Sequence, residues 1–143
     1  MKTIHIVNGP NLNRLGSREP EVYGSTTFED YLERLRDAYP TCDIVYFQSN
    51  HEGDIIDYIQ DIGDRSDGII LNAGAYTHYS IAIADAIRSV LAPVVEVHIT
   101  NTAQREPYRH QSLLTSACVG IISGFGLDSY RLALAHLVAR RPV

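Results

Sequence analysis

Short apolar runs alternate with amphipathic stretches along the whole chain. The runs at residues 3–7, 44–48, 68–72, 94–99 and 119–123 have strand length and are rich in β-branched side chains, which pack well on a pleated surface. Between them the apolar positions recur at helical spacing. Phe28, Leu32 and Leu35 share one face of residues 28–38, and Ile55, Ile59 and Ile62 share one face of 55–62. Ile83 and Ile87 do so in 80–91, and Leu134, Leu137 and Val138 fall within 127–139. Thr27 is placed to cap the first helix and Pro93 to stop the third. No repeat, low-complexity tract or linker breaks the alternation.

Strands that alternate with helices on this scale predict an α/β fold of the flavodoxin-like kind: one domain over residues 1–143, a five-stranded parallel sheet with helices on both faces. Ligands bind such sheets outside the carboxyl ends of the strands. The residues expected there are Asn8-Gly9-Pro10-Asn11, Ser49-Asn50-His51-Glu52, Asn72-Ala73-Gly74 and His98. This edge lacks the paired aspartates and distal lysine of a phosphoacceptor domain, and the Ser/Thr-rich phosphate loop of a flavin binder. Gly124-Phe125-Gly126 resembles half of a dinucleotide fingerprint, but no second βαβ half follows it, so it reads as a tight turn into the last helix.

Composition narrows the chemistry. Of the 12 basic residues, all but Lys2 are arginines, and Lys2 precedes the first apolar run. That placement excludes both a pocket Schiff-base lysine and a phosphate-loop lysine. Seventeen acidic residues give a net charge of -5, which argues against nucleic acid and anionic membrane as partners. The N-terminus resembles neither a signal peptide nor a transmembrane span, so a cytoplasmic protein is expected. Cys42 and Cys118 each begin an apolar segment and read as buried, inert thiols. His51-Glu52 lacks the second histidine of a zinc helix, and no metal is expected.

Three features can carry chemistry. About 19 residues, from Asn8 to Thr26, join the first strand to the first helix where a handful is usual. This segment is either a solvated surface loop or a lid over residues 12–26 that brings Tyr23 beside Arg18. A guanidinium stabilises a phenolate, which would make Tyr23 a usable general base. Second, alternation places Glu96 and His98 on one side of an apolar strand. A buried carboxylate needs a partner, and the imidazole is either a satisfied core histidine or a proton donor at the ligand-binding edge. Third, Arg105 and Arg109 are spaced either to face one ligand or to decorate the surface.

The motifs Asn8-Gly9-Pro10-Asn11-Leu12, Leu15-Gly16-Ser17-Arg18-Glu19-Pro20 and Tyr23-Gly24 resemble the opening of type II 3-dehydroquinases. The resemblance continues through Gln48-Ser49-Asn50-His51-Glu52-Gly53, Leu71-Asn72-Ala73-Gly74-Ala75-Tyr76-Thr77-His78 and Glu96-Val97-His98-Ile99-Thr100-Asn101, in order and over essentially the whole chain. It implies dehydration of 3-dehydroquinate to 3-dehydroshikimate, in the shikimate or quinate pathway, by an enolate route without metal or organic cofactor. Tyr23 is then similar to the base at C2, and Arg18 to the arginine that activates it. Asn11 matches the residue holding the water that stabilises the enolate. His98 matches the acid that protonates the departing C1 hydroxyl, with Glu96 behind it. Asn72, Ile99 and Thr100 are implied in holding the substrate carboxylate, and His78, Arg109 and Asp85 in holding ring hydroxyls. The resemblance also implies a homo-oligomer, a dodecamer of trimers, with Asp85 contributed to a neighbour's site.

Departures from the family pattern cluster after the fourth strand: Ala103-Gln104 before Arg105, Tyr108 where Phe is common, and Ser129 in place of a frequent glycine. These bear on affinity or packing more than on the reaction. Two other classes of function are compatible with the residues taken alone: a non-catalytic binding module for a small acid, and a cofactor-free isomerase acting next to a carbonyl.

Overall fold

Parallel pairing in the order β2-β1-β3-β4-β5 builds a single five-stranded sheet. A computed structural model describes residues 1–17 and 26–141 of the chain. Its strands are β1 (Lys2–Asn8), β2 (Cys42–Gln48), β3 (Gly68–Asn72), β4 (Val94–His98) and β5 (Gly120–Ser123). Its helices are α1 (Phe28–Ala38), α2 (Glu52–Ile62), α3 (Ile81–Arg88) and α4 (Asp128–Ala139). The flavodoxin-like expectation holds, and the strand order reverses between β1 and β3, where sheets of this type open a crevice.

Two apolar layers sandwich the sheet. On one face α1 and α4 pack Phe28, Leu32, Leu35, Tyr130, Leu134 and Leu137 against Ile4, Ile6, Ile44, Ile70, Val95 and Val97. On the other, α2 and α3 pack Ile55, Ile59, Ile62, Ile83 and Ile87 against Val7, Ile69, Leu71 and Val94. Strand alternation therefore decides which residues meet which pair of helices. Asn8 and Asn72 extend toward the α1/α4 side, whereas Glu96 and His98 extend toward the α2/α3 side.

Helix boundaries shift where polar residues or turns replace the apolar pattern. Residues 28–38 form a helix as expected, with the Thr27 hydroxyl accepting from Asp30 N at 3.2 Å. The helix expected at 55–62 begins earlier, at Glu52, because its first turn is polar and carries no apolar marker. The helix expected at 80–91 stops at Arg88, well before Pro93; Ser80 is its cap, accepting from Ile83 N at 3.0 Å. Strand 94–99 ends at His98, strand 119–123 starts at Gly120, and the last helix starts at Asp128. Cys42 is buried but Cys118 is only half-buried, a correction to the expectation that both are fully enclosed. Burial still pushes the Cys118 thiol up to about 12 and raises that of Cys42.

The single lysine has a structural post. Lys2 Nζ donates to the carbonyls of Leu137, Val138 and Arg140 at 3.2, 3.1 and 2.7 Å, where α4 leaves its last acceptors unsatisfied. It sits at the amino-end edge of β1, away from the carboxyl ends of the strands. No helix among the described residues is long and apolar enough to cross a membrane.

Candidate active site

A cleft opens at the carboxyl ends of β1, β3 and β4. It is lined by Pro10, Asn11, Leu12, Asn72, Gly74, Ala75, His78, His98, Ile99, Thr100, Arg105 and Arg109. About 580 Å³ there lies outside protein atoms, counting the open solvent at the cleft mouth. Eight residues expected on sequence grounds thus meet in one place or flank it: Asn11, Asn72, His78, Glu96, His98, Ile99, Thr100 and Arg109. Tyr23 and Arg18 lie outside the described residues.

Close backbone approach makes the floor. Gly9 N donates to Asn72 O at 2.7 Å, and a Cβ at Gly9 would meet the Ala73 carbonyl oxygen at 2.4 Å, so only glycine fits there. The chain then turns through Asn11, which takes a left-handed conformation with φ 70°. Asn50 Oδ1 secures this turn by accepting from Asn11 N at 3.0 Å and from Gln48 Nε2 at 3.1 Å, while Tyr76 OH donates to Asn50 O. The Gln48-Ser49-Asn50 motif therefore supports the Asn11 turn from beneath. Leu12 and Leu15 are buried in the core, anchoring the first part of the 12–26 segment.

Glu96 and His98 form the pair that alternation predicts. His98 Nε2 meets Glu96 Oε2 at 2.5 Å, and both residues are buried. The other carboxylate oxygen accepts from Thr115 Oγ1 at 2.5 Å. Burial alone raises the Glu96 carboxyl, but the bonds from His98 and Thr115 outweigh it and hold the group below the usual carboxylate range. An ionised Glu96 on Nε2 leaves Nδ1 as the imidazole nitrogen available to the cleft. His78 faces His98 with ring centroids 6.3 Å apart, and its own Nδ1 is bound to Gln111 O at 2.7 Å. In that tautomer His78 Nε2 is an acceptor.

Arginines close the opposite wall. Glu106 pairs with Arg109 Nε at 3.0 Å and with Arg105 Nε at 3.6 Å, so one carboxylate organises both guanidinium groups. Tyr108 OH also donates to Glu106. That bond, then Arg109, holds the Glu106 carboxyl down at about 2. Phe in place of Tyr108 would lack this contact. Arg105 is a cleft residue to which the sequence assigned no role; its four-residue spacing from Arg109 was the available signal. The Ser129 departure has a local account too, since its buried hydroxyl accepts from Phe125 N at 3.1 Å inside the turn formed by Gly124 and Gly126. That turn also bonds back to β4, Gly124 N to His98 O and Gly126 N to Ile99 O. Nothing in the structure explains Ala103-Gln104.

Asp85 is not in the cleft of its own chain. It lies on the outer face of α3, 3.8 Å from Arg88 and largely exposed, with the exposed Tyr79 and Ile81 nearby in sequence. Among the described residues, no group of three or more His, Cys, Asp or Glu side chains is arranged to hold a metal ion.

A doubly wound α/β sheet thus presents a buried carboxylate–imidazole pair and two arginines around one crevice at the carboxyl ends of its strands. The chain belongs to the type II dehydroquinase family: the sequence pattern described as Dehydroquinase class II matches residues 2–138. It is 49% identical over 137 residues to a 3-dehydroquinate dehydratase of Chlorobaculum tepidum, covering 94% of this chain and 93% of that one. A second relative of that description, from Exiguobacterium, is 53% identical over 136 residues, with 94% and 93% covered. The crystal structure of the type II dehydroquinase from Butyrivibrio crossotus superposes with a TM-score of 0.93 at 43% identity, covering 96% of this chain and 98% of that one.

Proposed function

We infer that the chain is a 3-dehydroquinate dehydratase, a hydro-lyase that converts 3-dehydroquinate to 3-dehydroshikimate and water by an enolate route in the shikimate or quinate pathway. Family membership over nearly the whole chain supports the reaction, and the Glu96–His98 pair at the cleft is the observation that carries the chemistry. A proton next to a ketone is acidified by delocalisation into an enolate. The enzyme must therefore supply a base, a stabiliser for the oxyanion and an acid for the leaving oxygen.

In this reading Tyr23 removes the C2 proton as a phenolate favoured by Arg18, and Asn11 positions a water against the enolate oxygen. The enolate then collapses: the C3 carbonyl re-forms, the C2–C3 π pair shifts to make a new C1–C2 double bond, and the C1–O bond breaks as the hydroxyl takes a proton from His98 Nδ1 and leaves as water. Glu96, kept ionised, stabilises the imidazolium before the transfer and fixes its orientation. Asn72 and the segment Ile99-Thr100 bind the substrate carboxylate, and His78 and Arg109 bind ring hydroxyls. An imine route is closed, because the only lysine in the chain caps α4.

The exposed position of Asp85 beside Tyr79 and Ile81 supports its placement in a neighbour's site, within trimers that build a dodecamer. A cytoplasmic location belongs to the same proposal. The direct test adds 3-dehydroquinate to the purified protein and follows conjugated-enone absorbance, with and without borohydride. Absorbance that rises and resists borohydride is expected. No absorbance overturns the function, and inactivation by borohydride in the presence of substrate overturns the enolate route. Sedimentation of the active species tests the assembly, which a monomer at full activity would refute.

A further inference from the structure

Beneath the cleft, one buried phenol joins two strand ends. Asn8 and Asn72 are register partners at the carboxyl ends of β1 and β3, and both are buried. Tyr130, in the first turn of α4 and completely buried, stands between them. Its hydroxyl accepts from Asn72 Nδ2 at 2.8 Å and donates to Asn8 Oδ1 at 2.8 Å. Asn8 Nδ2 reaches Tyr46 OH at 3.4 Å, while Asn72 Oδ1 accepts from Gly74 N at 3.2 Å.

A primary amide has two chemically opposite ends, and either fits the same space. What decides its orientation is the polarity of its fixed neighbours. Because the Tyr130 proton is taken by Asn8, the oxygen of that hydroxyl can only accept, and it therefore selects Asn72 Nδ2 over Oδ1. Gly74 N selects Oδ1 at the other end. The second N–H of the Asn72 amide is engaged by none of the described residues, and Asn72 lines the cleft.

We propose that Tyr130 is a positioning residue for anion recognition: through its bonds to Asn8 and Asn72 it locks the Asn72 amide so that an N–H, and not a carbonyl oxygen, serves the carboxylate of the ligand. This rests on the assignment of Asn72 to the substrate carboxylate. A flipped Asn72 would set its oxygen against the carboxylate, turning an attraction into a repulsion, while a carboxamide ligand would tolerate either orientation. The phenol is thus a selector between an acid and its neutral isostere, although it touches neither.

The test compares binding of two ring probes, quinate and its carboxamide, by calorimetry to the full-length protein and to Tyr130→Phe. Turnover of 3-dehydroquinate by the unmodified protein is measured alongside. The preference for the carboxylate is expected to fall about tenfold in Tyr130→Phe, mostly by weaker quinate binding, as one charge-assisted hydrogen bond predicts. KM should rise more than kcat falls. Asn8→Leu is the second variant, because it retains the phenol but frees its proton to donate to Asn72 Oδ1; the same loss of preference is expected. Equal weakening of both probes, or an unchanged preference in both variants, overturns the proposal. Failure of the unmodified protein to turn over 3-dehydroquinate would instead overturn the assigned reaction, and the probe preference would still decide the role of Tyr130.

Discussion

Glu96 and His98 lie two residues apart on β4 and meet at 2.5 Å, while Thr115, brought in from the segment before β5, holds the second carboxylate oxygen at 2.5 Å. The carboxylate is thus held on both oxygens, and the imidazole is left one nitrogen for the cleft. Geometry of this kind suits the proton donation proposed for His98, because an imidazolium there would already have its counter-charge in place.

Glu96→Gln should lower kcat by about 10²-fold while changing KM little, because a neutral amide no longer stabilises an imidazolium. Stability should respond to pH in a defined direction. The folded-state pKa of Glu96 lies below its ordinary 4.5, so its ionised form contributes stability above that value, and the contribution is lost as pH falls through the lowered one. Melting midpoints of the native protein and the variant should therefore converge as pH falls below the ordinary carboxyl value of 4.5 and through the lowered one. A gap that widens on acidification would show that the carboxyl is raised, not lowered.

Tyr23→Phe should abolish turnover yet bind quinate within a few-fold of the unmodified protein, since the ring stays and only the proton acceptor is lost. Arg18→Gln should lower kcat and move the rise of the rate with pH to higher values, because a phenol without a nearby cation ionises later. Isothermal binding and pH–rate profiles read both effects. Retained turnover in Tyr23→Phe would remove it as the base, and an unmoved profile would remove Arg18 as its activator.

Lys2→Met should cost about 1 kcal/mol of stability, the scale of a charged group satisfying helix carbonyls, and leave kcat and KM unchanged. Chemical denaturation and steady-state assays check the two halves. A fall in kcat with intact folding would contradict the separation between the amino-end edge of the sheet and the cleft.

Most of the frame is legible because periodicity is a short-range signal. Phe28, Leu32 and Leu35 mark α1, and Glu96 and His98 declare a shared face from a two-residue spacing. The start of α2 was not legible, since Glu52, Gly53 and Asp54 carry no apolar marker and are helical through the packing of Ile55, Ile59 and Ile62. Long-range partners were invisible for another reason. Nothing in the neighbourhood of Thr115 announces a bond to Glu96, and Tyr130 looks like one more apolar position of the last helix until α4 docks it beneath Asn8 and Asn72. Arg105 was seen but not assigned, because spacing alone does not tell a cleft wall from a solvated surface. The carboxylate that decides it, Glu106, lies between the two arginines.

Cys118 offers an independent measure of the charge on Glu96. Burial is the main reason its thiol is pushed up to about 12, and the Glu96 carboxylate is the second, with Arg88 opposing both. At pH 8 only about one such thiol in 10⁴ is ionised, so alkylation by iodoacetamide should run on the order of 10³ times slower than at an unperturbed cysteine. Removing the charge in Glu96→Gln should lower the thiol pKa and speed alkylation at Cys118, while Cys42, whose thiol is raised by burial and then by Asp43, should be unaffected. Site-resolved mass spectrometry separates the two residues. Equal acceleration at both would indicate general loosening of the fold. No acceleration at Cys118, together with an unchanged melting midpoint, would show that Glu96 is already neutral in the native protein, and the ionised carboxylate behind His98 would have to be abandoned.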